Sequence, residues 1–352
     1  MGSQQTATTD PTTPHHRTFF GHPWGLANLA GVEMWERFSF YGMQAILVYY
    51  LYYSVTDGGL GLPESTATSI VGAYGGLVYL SAILGSWVAD RLFGAERTLT
   101  GAAVLIMCGH ISLAIFPGLG GVGVGLICIA LGSGTLKATT SSVLGDMYAP
   151  DDERRDGGFS IYYMGVNLGA LFGPLLTGLV WGWKGFHWGF GLAAIGMAAG
   201  LVVFVIGRGA LRGAGEPPVA LKKNTEVTLY ATGVGAVAVI WGLIQFQDVI
   251  EGLLWITFPI MFGYILYEAF KLDKEPRERI FAILFLIALN PLFWGLFEQA
   301  GGSINLYTDR FVDRGGVPAS LFQSINPIYI ILFAPFFAAL ASRRLPSRRT
   351  PK

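Results

Sequence analysis

The chain has 352 residues, of which 52% are hydrophobic and only 13% are charged. Soluble domains carry about 25% charged residues, so most of this surface cannot face water. The formal net charge of zero excludes a generally basic nucleic-acid-binding protein, and two cysteines are too few for a disulfide scaffold or a four-cysteine zinc site.

Repeated apolar stretches of about 20 residues, long enough to cross a hydrocarbon core, instead predict an all-α polytopic membrane protein. Residues 1–23 are polar and rich in Thr and Pro, which predicts a disordered tail, and they lack the pattern of a signal peptide. Ten candidate spans follow, at about 25–54, 66–91, 98–117, 121–144, 158–182, 187–207, 227–247, 250–271, 279–299 and 320–341. A very short connection around Asp248 makes the seventh and eighth spans a helical hairpin.

The distribution of basic residues predicts how these spans are oriented. Of the 23 Lys and Arg, two lie inside spans, 18 lie on the side of both termini, and only Lys184, Arg310 and Arg314 lie on the opposite side. Lys and Arg are enriched in cytoplasmic loops. Both termini are therefore predicted to face the cytoplasm, in the cell membrane.

Ionisable side chains inside the apolar spans are the strongest candidates for function. The first span contains Glu33, Glu36 and Arg37, the fourth contains Lys137 and the ninth contains Glu298. Each costs about 2.5–3.5 kcal/mol to insert, so it usually faces a partner or a water-filled cavity. Carboxylates and a lysine buried near each other exchange protons near neutral pH when their environment tunes them, as a proton-driven carrier requires. The alternative for the first-span group is that it lies near the cytoplasmic surface and snorkels to water.

Weaker candidates are amides and aromatic side chains within the spans. Asn167 and Asn326 either bind a polar ligand or join helices, and Tyr41, Tyr79 and Trp294 either line a cavity or pack. Residues 85–97 predict a short cytoplasmic loop with a gating or structural role. Its candidate residues are Asp90, Arg91, Gly94 and Arg97.

Other chemistry finds no support in the sequence. A GxGxxG match at 118–123 lies between two spans, without the strand and helix that a dinucleotide site needs. Common catalytic motifs are absent and His110 lies alone in an apolar span. We therefore expect neither an enzyme nor a metal site and no cofactor, with a proton gradient as the energy source.

Four segments carry a specific resemblance to a known family. Residues 33–42 read EMWERFSFYG and resemble the ExxERFxYYG motif of the proton-dependent oligopeptide transporter family, within the major facilitator superfamily. FSIYYMGVNLG at 159–169 resembles the family's motif on its fifth helix, and FWGLFEQ at 293–299 resembles that on its seventh. GSWVADRLFGAER at 85–97 is similar to the GxxADRxxGRR loop of the superfamily.

The resemblance implies roles for these residues. Proton coupling would fall to Glu33, Glu36, Arg37, Lys137 and Glu298. The peptide pocket would be lined by Tyr41, Gln44, Tyr79, Lys137, Asn167, Trp294, Glu298 and Asn326. The partners would be di- and tripeptides, protons and the lipid bilayer, while the oligomeric state stays open.

The resemblance also implies a division of the chain. It comprises a cytoplasmic tail (1–23), an N-terminal six-helix bundle (24–208), a linker (209–225), an inserted helical hairpin (226–272), two helices of a C-terminal bundle (273–345) and a cytoplasmic end (346–352). Two departures stand out: many members have Arg where this chain has Gln44, and members continue with four more helices beyond the last residue here.

Three functions remain open at this point. The first is a proton-coupled importer of di- and tripeptides that works by alternating access. The second is a truncated membrane protein without transport activity, which binds only ligand or partner helices. The third is a carrier of another small anion such as nitrate.

Overall fold

The computed structural model describes residues 18–149, 151–211, 224–225, 227–228 and 247–344. Most of the predicted tail and of the linker at 209–225, nearly all of the seventh predicted span and the predicted end at 346–352 lie outside the described residues.

The described residues are predominantly helical, as the sequence predicts. The helices are α1 (Trp24–Tyr52), α2 (Glu64–Val88), α3 (Ala95–Ile115), α4 (Gly118–Asp146), α5 (Arg155–Lys184), α6 (Phe186–Gly207), α7 (Gln247–Phe270), α8 (Lys274–Phe297), α9 (Ser303–Phe311) and α10 (Ile325–Arg344). Short 3-10 helices span Val55–Asp57, Arg208–Leu211, Glu298–Gly301 and Ala319–Ser324. Two strands of two residues each, β1 (Thr18–Phe19) and β2 (His22–Pro23), form an antiparallel hairpin.

Helices α1 to α6 form one bundle in which α1 is the most buried element. Helix α1 packs along α5 and α6, α3 packs along α4 and α6, and α2 packs along α4. Helix α1 buries residues around its whole circumference, which is typical of a helix in the core of a larger assembly. The three charged side chains of α1 are therefore carried into the middle of the bundle.

Glycines allow the close contact between α1 and α5. A Cβ atom added to Gly169 would overlap the carbonyl oxygen of Met34, and one added to Gly173 would overlap that of Phe38. Small residues at such positions let membrane helices approach closely, which maximises van der Waals packing where the hydrophobic effect does not drive association. The backbones of α1 and α5 are thereby held in a fixed register.

Six helical segments in the described part of the chain are long and apolar enough to cross a membrane. They are Glu64–Phe93, Ala95–Ile115, Gly118–Asp146, Arg155–Lys184, Phe186–Leu211 and Lys274–Gly301. Helix α1 is as long, with 29 residues, but its charged residues lower its mean hydropathy. Shorter apolar segments occur at Trp255–Phe270 and Ala319–Phe333. The chain is thus a multi-pass membrane protein.

The structure corrects the predicted tail and the predicted loop at 85–97. Residues 18–23 form the hairpin because His22 Nδ1 lies 3.0 Å from the Tyr148 hydroxyl and Phe19 packs edge-on against Trp24. Helix α2 continues as a π-helical turn through Ala89–Phe93, and α3 begins at residue 95. The connection is therefore one glycine, Gly94, whose φ of 73° lies in the left-handed region that glycine adopts without steric cost.

The described residues 247–344, which follow the six-helix bundle and which we call the second part of the chain, contain one helix that the sequence analysis did not predict. Helix α9 lies between the ninth and tenth predicted spans and has only nine residues. It buries Asn305, Leu306 and Thr308. Packing of this face, which carries both polar and apolar side chains, stabilises the helix. Too short to span a membrane, it carried no hydropathy signal.

Helix α9 and the 3-10 helices beside it join the second part to the six-helix bundle. The Tyr49 hydroxyl donates to Asn305 Oδ1 at 2.6 Å, and the Tyr53 hydroxyl donates to Asp309 Oδ2 at 2.9 Å. An ion pair joins Arg310 to Glu64 at 2.6 Å. These contacts lie where α1 ends, whereas α8 is exposed along nearly its whole length.

Candidate functional site

The charged residues of α1 form a compact cluster inside the six-helix bundle. Arg37 Nε lies 3.0 Å from Glu33 Oε1 and 2.5 Å from Glu36 Oε2. The side chains of all three residues are at most 5% exposed. We call Glu33, Glu36 and Arg37 the α1 cluster. Its burial contradicts the alternative in which these residues snorkel to the membrane surface.

Hydroxyl groups of α4 bond to the α1 cluster, and one of them contacts a hydroxyl group of α5. Ser133 of α4 donates to Glu36 Oε1, and Arg37 Nη2 lies 3.5 Å from the same hydroxyl. Thr140 of α4 lies 3.2 Å from Glu33 Oε2 and 2.8 Å from the hydroxyl of Tyr162 on α5. Helices α1, α4 and α5 thus meet at these carboxylates.

Aromatic rings cover the guanidinium of Arg37. Its Cζ atom lies 5.1 Å from the centroid of the Phe40 ring and 6.0 Å from that of Tyr41. Ring faces carry negative potential and attract such a cation. They also keep water away, so the attraction between Arg37 and the two carboxylates is less screened than at a surface.

A second group of predicted site residues lies at the exposed surface between α2, α4 and the end of α8. The Tyr79 hydroxyl of α2 donates to Glu298 Oε1 at 3.0 Å, and Lys137 Nζ of α4 lies 5.5 Å from the centroid of the Tyr79 ring. We call Tyr79, Lys137 and Glu298 the Glu298 group. Its three side chains are exposed, and it joins the two parts of the chain by one hydrogen bond.

Lys137 departs from the sequence-based expectation. The fourth span was expected to bury this lysine close to the carboxylates of the α1 cluster. Its side chain is instead exposed, and no ion pair within the described residues includes it. The physical reason is its position on α4, where one face packs into the bundle and Lys137 lies at the edge of that face. The α1 cluster therefore keeps two carboxylates and one cation within contact distance.

The other predicted pocket residues occupy more varied positions. Gln44 lies against Gly301, next to the turn that carries Glu298. Asn167 donates to the carbonyl oxygen of Tyr163 within its own helix at 2.9 Å. Trp294 packs edge-on against Phe293 and is 44% exposed. Asn326 is exposed near the start of α10.

The predicted gating residues lie together at the connection between α2 and α3. Asp90 and Arg91 are exposed in the π-helical turn, and Arg97 lies in the first turn of α3. The adjacent Glu96 forms an ion pair of 3.2 Å with Arg208 after α6. Sequence reasoning did not select this pair, because an exposed glutamate 112 positions before an arginine carries no recognisable signal.

Within the part of the chain that the structure describes, no group of three or more His, Cys, Asp and Glu is arranged to hold a metal ion. Cys108 and Cys128 form no disulfide.

The fold and the buried charges together define a class of protein. The chain is a bundle of apolar helices with a buried carboxylate–arginine cluster, and the solved structures that it resembles are transporters of the major facilitator fold. The POT family model matches residues 96–349. The chain belongs to the POT family.

Individual relatives cover most of the chain. An uncharacterized transporter of Bacillus subtilis, YclF, is 41% identical over 94% of this chain and 70% of its own length. A di-/tripeptide transporter of Lactococcus lactis is 39% identical over 92% of this chain and 70% of its own length. A solved structure of a peptide transporter POT in complex with alafosfalin superimposes with a TM-score of 0.81 at 43% identity, over 96% of this chain and 71% of that one.

Proposed function

We propose that this chain is a proton-coupled transporter that imports di- and tripeptides by alternating access. The observation that carries the proposal is the α1 cluster, in which two carboxylates share one arginine in the buried interior of the helical bundle. Two carboxylates that compete for one cation favour uptake of a proton by one of them. A site with that property can link proton entry to a change of structure.

Peptides fit the charges of the Glu298 group. Lys137 offers an exposed ammonium to a peptide C-terminal carboxylate, and Glu298 offers an exposed carboxylate. A di-/tripeptide transporter of Lactococcus lactis is among the similar proteins, which supports peptides over nitrate or another small anion. We assign proton coupling to Glu298 together with the α1 cluster.

Alternating access fits the way in which the two parts meet. Several of their hydrogen bonds lie where α1 ends, as the contacts of Tyr49 and Tyr53 illustrate, and others lie along α2 and α5. With both termini in the cytoplasm, as the basic residues predict, this end faces outward and the exposed length of α8 lines a path to the cytoplasm. We propose that the chain lies in the cell membrane in this orientation.

Transport in proteoliposomes tests the proposal. Uptake of labelled dialanine by the wild-type chain is expected to exceed equilibrium under an inside-alkaline gradient and to fall to equilibrium with a protonophore. Unlabelled tripeptide should compete, and nitrate or free alanine should not. Binding of dialanine without uptake under any gradient would contradict transport, and competition by nitrate alone would contradict the peptide assignment.

A single substitution then tests the proton site. Glu298→Gln keeps the shape of the side chain and removes its titration, so exchange of peptide for peptide should persist while uphill accumulation is lost. Glu268→Gln removes a half-exposed carboxylate that pairs with nearby Lys271 and serves as the matched control. Accumulation by Glu298→Gln at the wild-type level would assign the proton to the α1 cluster alone.

A further inference from the structure

Helix α4 contacts the α1 cluster through hydroxyl groups on both sides of Lys137. Ser133 precedes Lys137 by four residues and Thr140 follows it by three, a spacing that places all three on one helix face. Ser133 bonds to Glu36 and Thr140 lies 3.2 Å from Glu33. Each carboxylate of the cluster thus has one hydroxyl partner on the helix that carries the exposed lysine.

Ser133 is suited to an ionised Glu36. Its side chain is fully buried, and a hydroxyl has one proton to donate and lone pairs to accept. It donates to Glu36 Oε1 and accepts from Arg37 Nη2 at 3.5 Å. Both bonds exist together only while that oxygen of Glu36 carries no proton.

Thr140 has more acceptors than it has protons. Its hydroxyl lies 3.0 Å from the carbonyl oxygen of Leu136, 3.2 Å from that of Lys137 and 3.2 Å from Glu33 Oε2. One proton serves one of them well at a time. The bond from Thr140 to Glu33 is therefore strongest when Glu33 is ionised, and the carbonyl oxygens of α4 receive the proton when it is not.

We propose that Ser133 and Thr140 are positioning residues that set the register of α4, and with it Lys137, according to the protonation of Glu33 and Glu36. The lysine makes no ion pair with either carboxylate among the described residues, so the hydroxyl groups are the direct link from the α1 cluster to its helix. The inference rests on the proposed function and names how two parts of that site communicate.

Other titratable groups also surround these carboxylates and influence the same protonation. Besides Arg37 they are Tyr41 on α1, Tyr74 on α2, Lys137 on α4 and Tyr162 on α5. Tyr162 contacts Thr140 directly at 2.8 Å. The test accordingly changes only the two hydroxyl groups and leaves every titratable side chain in place.

The pH profile of dialanine uptake by Ser133→Ala and Thr140→Val measures the effect. A hydroxyl that donates to a carboxylate favours its ionised form, so without it proton-dependent uptake should reach half its maximum at a pH about one unit higher, the equivalent of one charge-assisted hydrogen bond. Ser133→Thr and Thr140→Ser keep the hydroxyl and should restore the wild-type profile. Thr139→Val is the matched control, because the Thr139 hydroxyl bonds to Thr135 within α4 and the residue is equally buried.

The outcomes separate this inference from the proposed function. Wild-type uptake without dependence on pH would contradict the proposed function itself. Wild-type uptake that depends on pH, together with unshifted profiles for Ser133→Ala and Thr140→Val, would overturn only the positioning role. A shift that Thr139→Val shows equally would assign the effect to general loosening of α4. If Ser133→Ala fails to fold, Thr140→Val and the two hydroxyl-retaining variants still decide the question.

Discussion

The α1 cluster and the Glu298 group contain the same types of charge in opposite environments. The α1 cluster is assembled within the six-helix bundle, with ion pairs of 2.5 and 3.0 Å and side chains at most 5% exposed. The Glu298 group is exposed and depends on one hydrogen bond from Tyr79 to the end of α8. Removing a charge from the α1 cluster would therefore leave a buried charge without its partner, whereas the charges of the Glu298 group are accessible to a ligand.

Arg37→Ala should have the largest effect on stability, because it removes both ion pairs of the α1 cluster. It leaves two buried carboxylates without their cation, and breaking a buried pair costs about 3–5 kcal/mol. Thermal unfolding in detergent should show a markedly lower Tm. Arg279→Ala is the matched control, since Arg279 also follows its glutamate by four residues but is 75% exposed, where such pairs contribute about 0–1 kcal/mol. Equal changes in Tm for the two variants would contradict the structural role of burial.

Lys137→Ala should separate function from stability. The exposed ammonium makes no ion pair among the described residues, so its removal should leave the Tm within error of wild type. Uptake of dialanine should fall below detection because the peptide carboxylate loses its cation. Lys271→Ala removes a lysine that also lies over a tyrosine ring, at 3.9 Å from the centroid, and should transport normally. Wild-type uptake by Lys137→Ala would show that this lysine does not bind peptide.

Gln44→Arg should strengthen peptide binding by adding a cation beside the Glu298 group. Gln44 already lies against Gly301, so an arginine there reaches the same surface. Peptides with a free C-terminal carboxylate should bind up to about fivefold more tightly, in line with a partly solvated ion pair. Amidated peptides provide the internal control and should gain little. Competition assays that give equal changes for both ligands would place residue 44 outside the peptide site.

Tyr79→Phe should have a modest effect, similar in size to that of Gln44→Arg. The substitution removes the hydrogen bond to Glu298 and keeps the ring near Lys137. A hydrogen bond of this kind contributes about 0.5–1.5 kcal/mol, so the rate of uptake should fall by about tenfold or less, with no change in Tm. Tyr329→Phe, on an exposed ring that stacks on Phe333, should leave uptake unchanged. Complete loss of uptake by Tyr79→Phe would mean that the hydroxyl contacts the peptide directly.

Much of the fold could be predicted from the sequence because the length and hydropathy of an apolar segment identify it as a membrane helix. Six of the ten predicted spans correspond to long apolar helices, and α1 was recovered despite its charges. Helix α9 escaped prediction because nine residues with buried Asn305 and Thr308 resemble a polar loop. The connection at Gly94 was predicted too long, since nothing in the composition indicates that a helix continues as a π-helical turn.

The candidate site was predicted in its charges and not in their partners. The charges of the α1 cluster stand out in the sequence because inserting a charged side chain into an apolar span costs free energy. Ser133 and Thr140 do not, since Thr139 beside them has the same kind of side chain and bonds within its own helix. Which hydroxyl reaches another helix depends on how α4 is rotated against α1, and that rotation is set by packing.

The sequence by itself determined that this is a multi-pass membrane protein, which residues carry charge into the membrane and which family the chain belongs to. Composition, spacing and motif decide those properties without reference to distant contacts. Only the tertiary structure decided that the α1 cluster is buried while Lys137 is exposed, and that Glu64 pairs with Arg310. Burial and pairing are properties of surfaces that meet, and residues 246 positions apart come together only once the helices have packed.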